Sequence, residues 1–235
     1  MVFFSGLSNL TALRVLDLSS NQLAGSIDWK LLMNLTLLTR FNISYNTISA
    51  IKSTPSLDCS VKAVEYSFNS APGAFVSTSR LASVNLNNNK LRMDISEFFN
   101  CIQIILPFIS YLDISSNMFF GEAVDQIFTT HNTQYVSGFW SIENTLTALN
   151  FLNASSNQIS GSISPMWASF PLPLSLDLSS NQLSGKIPAS LFDSSIVQLR
   201  TEKNVQLFGD IDIKFGEAAF IDHLGFQRLS ASLSV

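Results

Sequence analysis

The stretch LDLSSNQLSGKIP, residues 176–188, decides how this chain folds. Leu176-x-Leu178 alternates with period two, the pattern of a short strand with one apolar face. Asn181 follows where the strand ends, Leu183 returns inward, and Gly185-Lys186-Ile187-Pro188 leads the chain away. The same wording recurs upstream. Leu13-x-x-Leu16-x-Leu18-x-x-Asn21-x-Leu23 is one copy, and Leu38-x-x-Phe41-x-Ile43-x-x-Asn46-x-Ile48 is the next. Val61-x-x-Val64-x-Tyr66-x-x-Asn69 is weaker. Copies ending in Asn89, Asn117 and Asn157 follow, and Ile196-x-x-Leu199-x-Thr201-x-x-Asn204 closes the series in degraded form. The Asn-to-Asn steps are 25, 23, 20, 28, 40, 24 and 23 residues.

A period of this length means stacked supersecondary units. One short strand cannot bury its apolar face alone. Copies stacked in parallel, about 4.8 Å apart, enclose a continuous core. The Asn amide carries both donors and an acceptor, so it is suited to the backbone groups of the turn that ends each strand. Asn21, Asn46, Asn69, Asn89, Asn117, Asn157, Asn181 and Asn204 are therefore expected to form a buried polar ladder.

This wording resembles the leucine-rich repeat family. Gly185-Lys186-Ile187-Pro188 matches the G-x-I-P of its plant-type subclass in full, and Gly25-Ser26-Ile27 and Gly161-Ser162-Ile163 match it without the Pro. Asn204-Val-Gln-Leu-Phe-Gly209 resembles the Asn-Pro-x-Leu-Cys-Gly that closes many plant receptor arrays, with Val205 and Phe208 at the Pro and Cys places. The expected fold is an α/β solenoid, a horseshoe with a parallel concave sheet and a mostly irregular or 3₁₀ convex side. Residues 1–209 are read as an array of about eight repeats, with an irregular stretch at 51–60 and an insertion within 122–144. The tail at 210–235 has no repeat match. Phe220, Ile221 and Leu224 would line one face of a short helix there, which makes the tail a cover for the stack or a disordered end. The first copy begins in phase at Leu7 and Leu10 with no capping unit ahead of it, and this points to a piece of a longer chain.

Composition narrows the function. The chain has 235 residues, a net charge of −4 and only 13% charged residues. The charge balance argues against nucleic acid, whose phosphates need clustered Lys and Arg. Two Cys and two His leave no framework for a four-Cys zinc site or a disulfide-dense scaffold. No phosphate-binding loop, nucleophile elbow, zinc-protease or kinase motif occurs. The expectation is no enzyme, no cofactor and no metal. The most apolar run, Cys101–Ile109, is far shorter than a membrane span. No basic, cleavable leader is visible at the N-terminus.

The candidate binding surface is the concave face. The middle position of each strand motif is Asp17, Asn42, Glu65, Asn85, Asp113, Asn153, Asp177 and Arg200, a carboxylate-and-amide stripe suited to a basic or hydroxyl-rich peptide. The competing explanation is that this is the ordinary wording of the repeat. Flanking aromatics are less stereotyped, and exposed aromatics make better anchors. The candidate ligand contacts are Tyr45, Glu65, Phe68, Tyr111, Asp113, Phe151 and Asp177, with Tyr135, Phe139 and Trp140 of the insertion. Asn9, Asn34, Asn42 and Asn153 head Asn-x-Ser/Thr sequons. Four is the number expected by chance, so they do not by themselves argue for secretion. Cys59 and Cys101 fall in different coils, and the spacing predicts two buried, unpaired thiols.

The resemblance implies ligand recognition: a piece of the ectodomain of a plant receptor-like kinase or receptor-like protein, with a protein or peptide ligand and a co-receptor as partners, at the outer face of the plasma membrane or in the cell wall. The alternatives are a soluble interaction or inhibitor protein, and a truncated product without independent function.

Overall fold

The computed structural model describes residues 7–29, 32, 34–52, 80–106, 108–122, 146, 148–170, 172–193, 196–211, 224–225 and 229–231. The L-x-L segments form β1 (Val15–Asp17), β3 (Arg40–Asn42), β5 (Ser83–Asn85), β6 (Tyr111–Asp113), β8 (Phe151–Asn153), β10 (Leu174–Asp177) and β12 (Ile196–Arg200). Together with β14 (Leu224–Gly225) they make one parallel eight-stranded sheet, in the order β1-β3-β5-β6-β8-β10-β12-β14. The apolar alternates of the inner strands are shut into the core: Phe41, Val84, Leu112, Leu152, Leu176 and Leu199 are each at most 1% exposed.

A second layer holds strands after Asn21, Asn46, Asn117, Asn157, Asn181 and Asn204, namely β2 (Ala24–Asp28), β4 (Thr47–Lys52), β7 (Phe120–Glu122), β9 (Gln158–Gly161), β11 (Gln182–Lys186) and β13 (Gln206–Ile211), and with them β15 (Leu229–Ala231); after Asn89 only an isolated bridge joins Asp94 to Phe120. They pair as β2-β4 and as β15-β13-β11-β9-β7. The glycines of the G-x-I-P-like segments sit here with left-handed φ of 82–97°. Beyond them the convex side is carried by short 3₁₀ turns such as Pro165–Ser169 and Ala189–Asp193. The expected solenoid is thus the observed one.

Several features differ from the sequence reading. First, the convex side holds a helix, α1 (Ile95–Ile105). Asp94 caps it by accepting from the Ser96 N–H. Ile95, Phe98, Phe99 and Ile102, at helical spacing, are buried against the sheet. Phe98 packs on Phe119 with ring centroids 4.9 Å apart. The apolar run from Cys101 belongs to this amphipathic helix, which in the sequence is masked by its nearly continuous hydrophobicity.

Second, no strand stands between β3 and β5, where the third copy was expected. β3 pairs directly with β5, with Phe41 opposite Val84. The Asn89 amide donates to the Ile43 carbonyl, and its Oδ1 accepts from the Ile48 N–H at 3.0 Å. The ladder therefore steps from Asn46 straight to Asn89. Asn69 has no place between them, and Asn69, Glu65 and Phe68 lie outside the described residues. One strand spacing separates neighbours, and it leaves no room for a 61–69 strand.

Third, Cys101 is disulfide-bonded rather than a free thiol. The chain's only other cysteine is Cys59, itself outside the described residues. The argument from separate coils assumed a rung between β3 and β5, and those two strands pair directly. Leu224, expected on a helix face, lies in β14 and pairs with Leu199. Phe220 and Ile221 are outside the described residues.

Candidate functional site

Each Asn rung is a bracket between turns. Asn117 donates to the carbonyls of Ile114 and Ser115 in its own turn and to Leu86 in the preceding one, at 3.0–3.2 Å. Its Oδ1 accepts from the Leu91 N–H at 3.0 Å. Asn46, Asn89, Asn157, Asn181 and Asn204 repeat the arrangement. Asn21 makes only its two local bonds, to Leu18 and Ser19. These side chains are structural and hold the face that could bind.

That face has two aligned rows. The strand register puts Val15, Arg40, Ser83, Tyr111, Phe151, Ser175 and Gln198 side by side. Two residues on, the same register aligns Asp17, Asn42, Asn85, Asp113, Asn153, Asp177 and Arg200. Both rows point away from the buried alternates, toward the concave side.

In the second row, Asp and Asn do the same local work. Each side-chain Oδ1 accepts the backbone N–H two residues ahead: Asp17 from Ser19, Asn42 from Ser44, Asn85 from Asn87, Asp113 from Ser115, Asn153 from Ser155 and Asp177 from Ser179. This Asx turn carries the chain off the strand. It accounts for the recurrence of Asp or Asn at this position without any ligand.

The carboxylates differ in their surroundings. Asp17 is exposed, and its bonds from Ser19 hold it below the usual carboxylate range. Asp177 lies 3.4 Å from the Arg200 guanidinium, which also contacts Glu202. Asp113 is only 6% exposed and has no cation beside it among the described residues. Burial pushes it above the usual range, with a further push from the charge of Asp177.

In the first row, the Tyr111 and Phe151 rings stack face to face, 3° from parallel with centroids 4.4 Å apart. The strand spacing sets this distance, because the two residues are cross-strand partners. Burial raises the Tyr111 pKa, and Asp113 adds to it. Of the candidate aromatic contacts, the register brings Tyr111 and Phe151 together. Tyr45, 58% exposed, stands on the turn with a left-handed φ of 54°, in line with Ser20, Ser116 and Lys203 rather than with Tyr111. Phe68 and the insertion residues Tyr135, Phe139 and Trp140 lie outside the described residues. The serines that flank the stack, Ser83 and Ser175, went unread in the sequence. Their signal is visible only once the register is known, since it consists of a small residue beside a large one on the adjacent strand.

Of the sequon residues, Asn9 and Asn34 are exposed. Asn42 and Asn153 are half-buried in the second row, where the Asn42 amide also donates to Asp17. Among the described residues, no three His, Cys, Asp or Glu side chains converge as a metal site would require. No helix among them is long and apolar enough to cross a membrane.

Parallel rungs, an Asn bracket between turns and a second strand after most brackets make a leucine-rich repeat solenoid, a fold that resembles the ectodomains of plant receptor kinases. The family model described as Leucine Rich Repeat matches residues 12–35 and 174–194. No curated protein matches the sequence. Among solved structures the chain is similar to the Arabidopsis receptor kinase HAESA, determined in complex with the peptide hormone IDA and the co-receptor SERK1: 24% identity, TM-score 0.58, 94% of this chain and 31% of that one. It is similar to a plant ice-binding protein, at 18% identity and TM-score 0.63, over 95% of this chain and 59% of that one. It is also similar to pollen receptor kinase 3, at 21% identity and TM-score 0.56, over 83% and 74%. The chain thus spans about a third of the HAESA structure's length.

Proposed function

We propose that this chain is a peptide-binding part of a plant cell-surface receptor ectodomain, and that the peptide lies on the concave face across β5, β6 and β8. The observation that carries the reading is the Tyr111–Phe151 stack, two half-exposed rings among the short polar side chains Ser83, Asn85, Asp113 and Asn153 of β5, β6 and β8. Rigid aromatics give contact area at small entropic cost, as anchors of an interface do. The fold it shares with HAESA, which was solved with a peptide hormone and a co-receptor, supports the same reading. So does the disulfide at Cys101, which suits an oxidising, extracellular location. Asn9 and Asn34 are then glycan acceptors, clear of the concave rows.

Panning a random peptide display library on the folded chain tests this. Selected peptides should lose at least about tenfold in affinity in Phe151→Ser, as for the loss of an aromatic anchor. They should bind Gln158→Ser, altered on the convex strand β9, unchanged. Binders indifferent to Phe151, or no binders, would contradict the reading. The alternative of a soluble interaction or inhibitor protein predicts a folded protein partner and no selected peptides.

A further inference from the structure

Asp113 holds a charge that its structural task does not require. The turn bond it makes is made equally by Asn85 and Asn153 on the two neighbouring strands. Asp113 Oδ1 accepts from the Ser115 N–H at 3.0 Å and from its hydroxyl at 2.6 Å, and Asn153 Oδ1 accepts from Ser155 at 3.1 and 2.7 Å. An amide would do at position 113. A carboxylate there is 6% exposed and without a countercharge among the described residues. Burying an unpaired charge is costly, and a partner recovers the cost. Asp17 avoids the cost by exposure and Asp177 by Arg200. Asp113 does neither. Ser115 occupies Oδ1 with two donors, and among the described residues Oδ2 accepts no bond.

The approach to Oδ2 has a shape. Tyr111 stands on the same strand and the same face, two residues back, with one ring face on Phe151. Its other face looks over Ser83 of β5, the register partner that is too short to cover it. The next residue in that row, Arg40, acts electrostatically on Asp17 rather than on Asp113. Among the described residues the register thus leaves a slot about one strand spacing wide over Ser83, between Arg40 and the Tyr111 ring, with Asp113 two residues on from Tyr111 on the same face.

We propose that this slot takes an arginine side chain of the peptide ligand, its guanidinium plane laid on the free face of Tyr111 and one N–H donated to Asp113 Oδ2. Arginine fits better than lysine because a planar, weakly hydrated cation both stacks on a ring and donates within its plane. The inference rests on the concave-face peptide reading above and names the residue type that reading leaves open.

The test uses acetyl-Gly-Arg-Gly-amide and its neutral citrulline analogue, titrated into the full chain and followed by NMR. Asp113→Asn keeps the Asx turn, as Asn153 shows, and so is expected to fold. Asp17→Asn removes the same charge from the same row at a distance. The arginine peptide should bind the parent and Asp17→Asn alike, and should weaken about tenfold or more in Asp113→Asn, the range for a hydrogen bond to a charged group. The citrulline peptide should not distinguish parent from Asp113→Asn. Equal weakening by both substitutions would reduce the effect to the general acidity of the face and overturn the slot. Equal binding of both peptides, or no binding, would overturn it too. If panned peptides still need Phe151 in those cases, the arginine slot falls and the peptide reading stands. If panning fails as well, both fall.

Discussion

At the residue scale, one amide carries the joint between two turns. Asn117→Leu would leave the Leu91 N–H unpaired in a buried site and take one donor from the Leu86, Ile114 and Ser115 carbonyls, which keep the Asn89 amide, the Asn157 amide and the Asn88 N–H. One such unpaired group costs about 1–3 kcal/mol, so the urea midpoint should fall by at least that equivalent. Asn69→Leu should leave the midpoint unchanged, because the ladder bypasses it. Equal losses would restore the 61–69 copy to the stack. Asp113 gives a prediction in pH. Its folded pKa is raised, so the folded state holds the proton more tightly than the unfolded chain does. Its contribution is therefore a penalty above the folded pKa, one that fades as pH falls and is gone below the ordinary value of 3.8. Asp113→Asn should be the more stable protein at pH 7, and the gap should close on acidification. Asp17 works the other way, giving stability that is lost as pH falls through its lowered pKa. A constant gap between parent and Asp113→Asn from pH 7 to 3 would contradict the burial argument.

At the scale of elements, the joint between α1 and the second sheet turns on a glycine. Gly121 has φ +96°, and a Cβ there would lie 2.3 Å from Asp94 Oδ2. Asp94 cannot simply swing aside, because its other oxygen caps α1 through Ser96. Gly121→Ala thus strains the backbone and disturbs the cap, and a loss of about 2–4 kcal/mol is expected by chemical denaturation. Gly185→Ala meets nothing nearer than Ser162 Cβ at 3.7 Å, so only the left-handed strain remains, about 1–2 kcal/mol. The strands were legible because L-x-L-x-x-N fixes both their alternation and their end. The helix was not, because Ile95, Phe98, Phe99 and Ile102 run into a further apolar stretch that blurs their 3.6-residue period. The place of the weak copy at 61–69 was not legible, because its pattern is one of residue types. Only the register between Phe41 and Val84 reveals that nothing lies between them. At the site, Asp113 and the two rings were readable by their place in the repeat. The stack and the unpaired charge were not, since both depend on which neighbour stands across each strand.

At the scale of the molecule, stability is shared between nearest-neighbour turns, as in any solenoid. The disulfide of Cys101 is the covalent exception. Paired with Cys59, it closes a loop of 42 residues, and in the chain-entropy account this is worth about 3–4 kcal/mol. Reduction should lower the unfolding midpoint accordingly, and Cys101→Ser should do the same and be blind to reductant. A parent midpoint indifferent to reductant would remove the compartment argument. The rows of the concave face are set by the whole stack, so ligand contacts should come from several turns at once and none from the convex strands. Photo-crosslinking tests this most directly, with p-benzoylphenylalanine placed at Ser175, beside Phe151, or at Gln158 on β9, and a panned peptide as ligand. The account predicts crosslinked peptide from position 175 and none from position 158. Crosslinking from position 158 alone would place the ligand on the other side of the solenoid and contradict it.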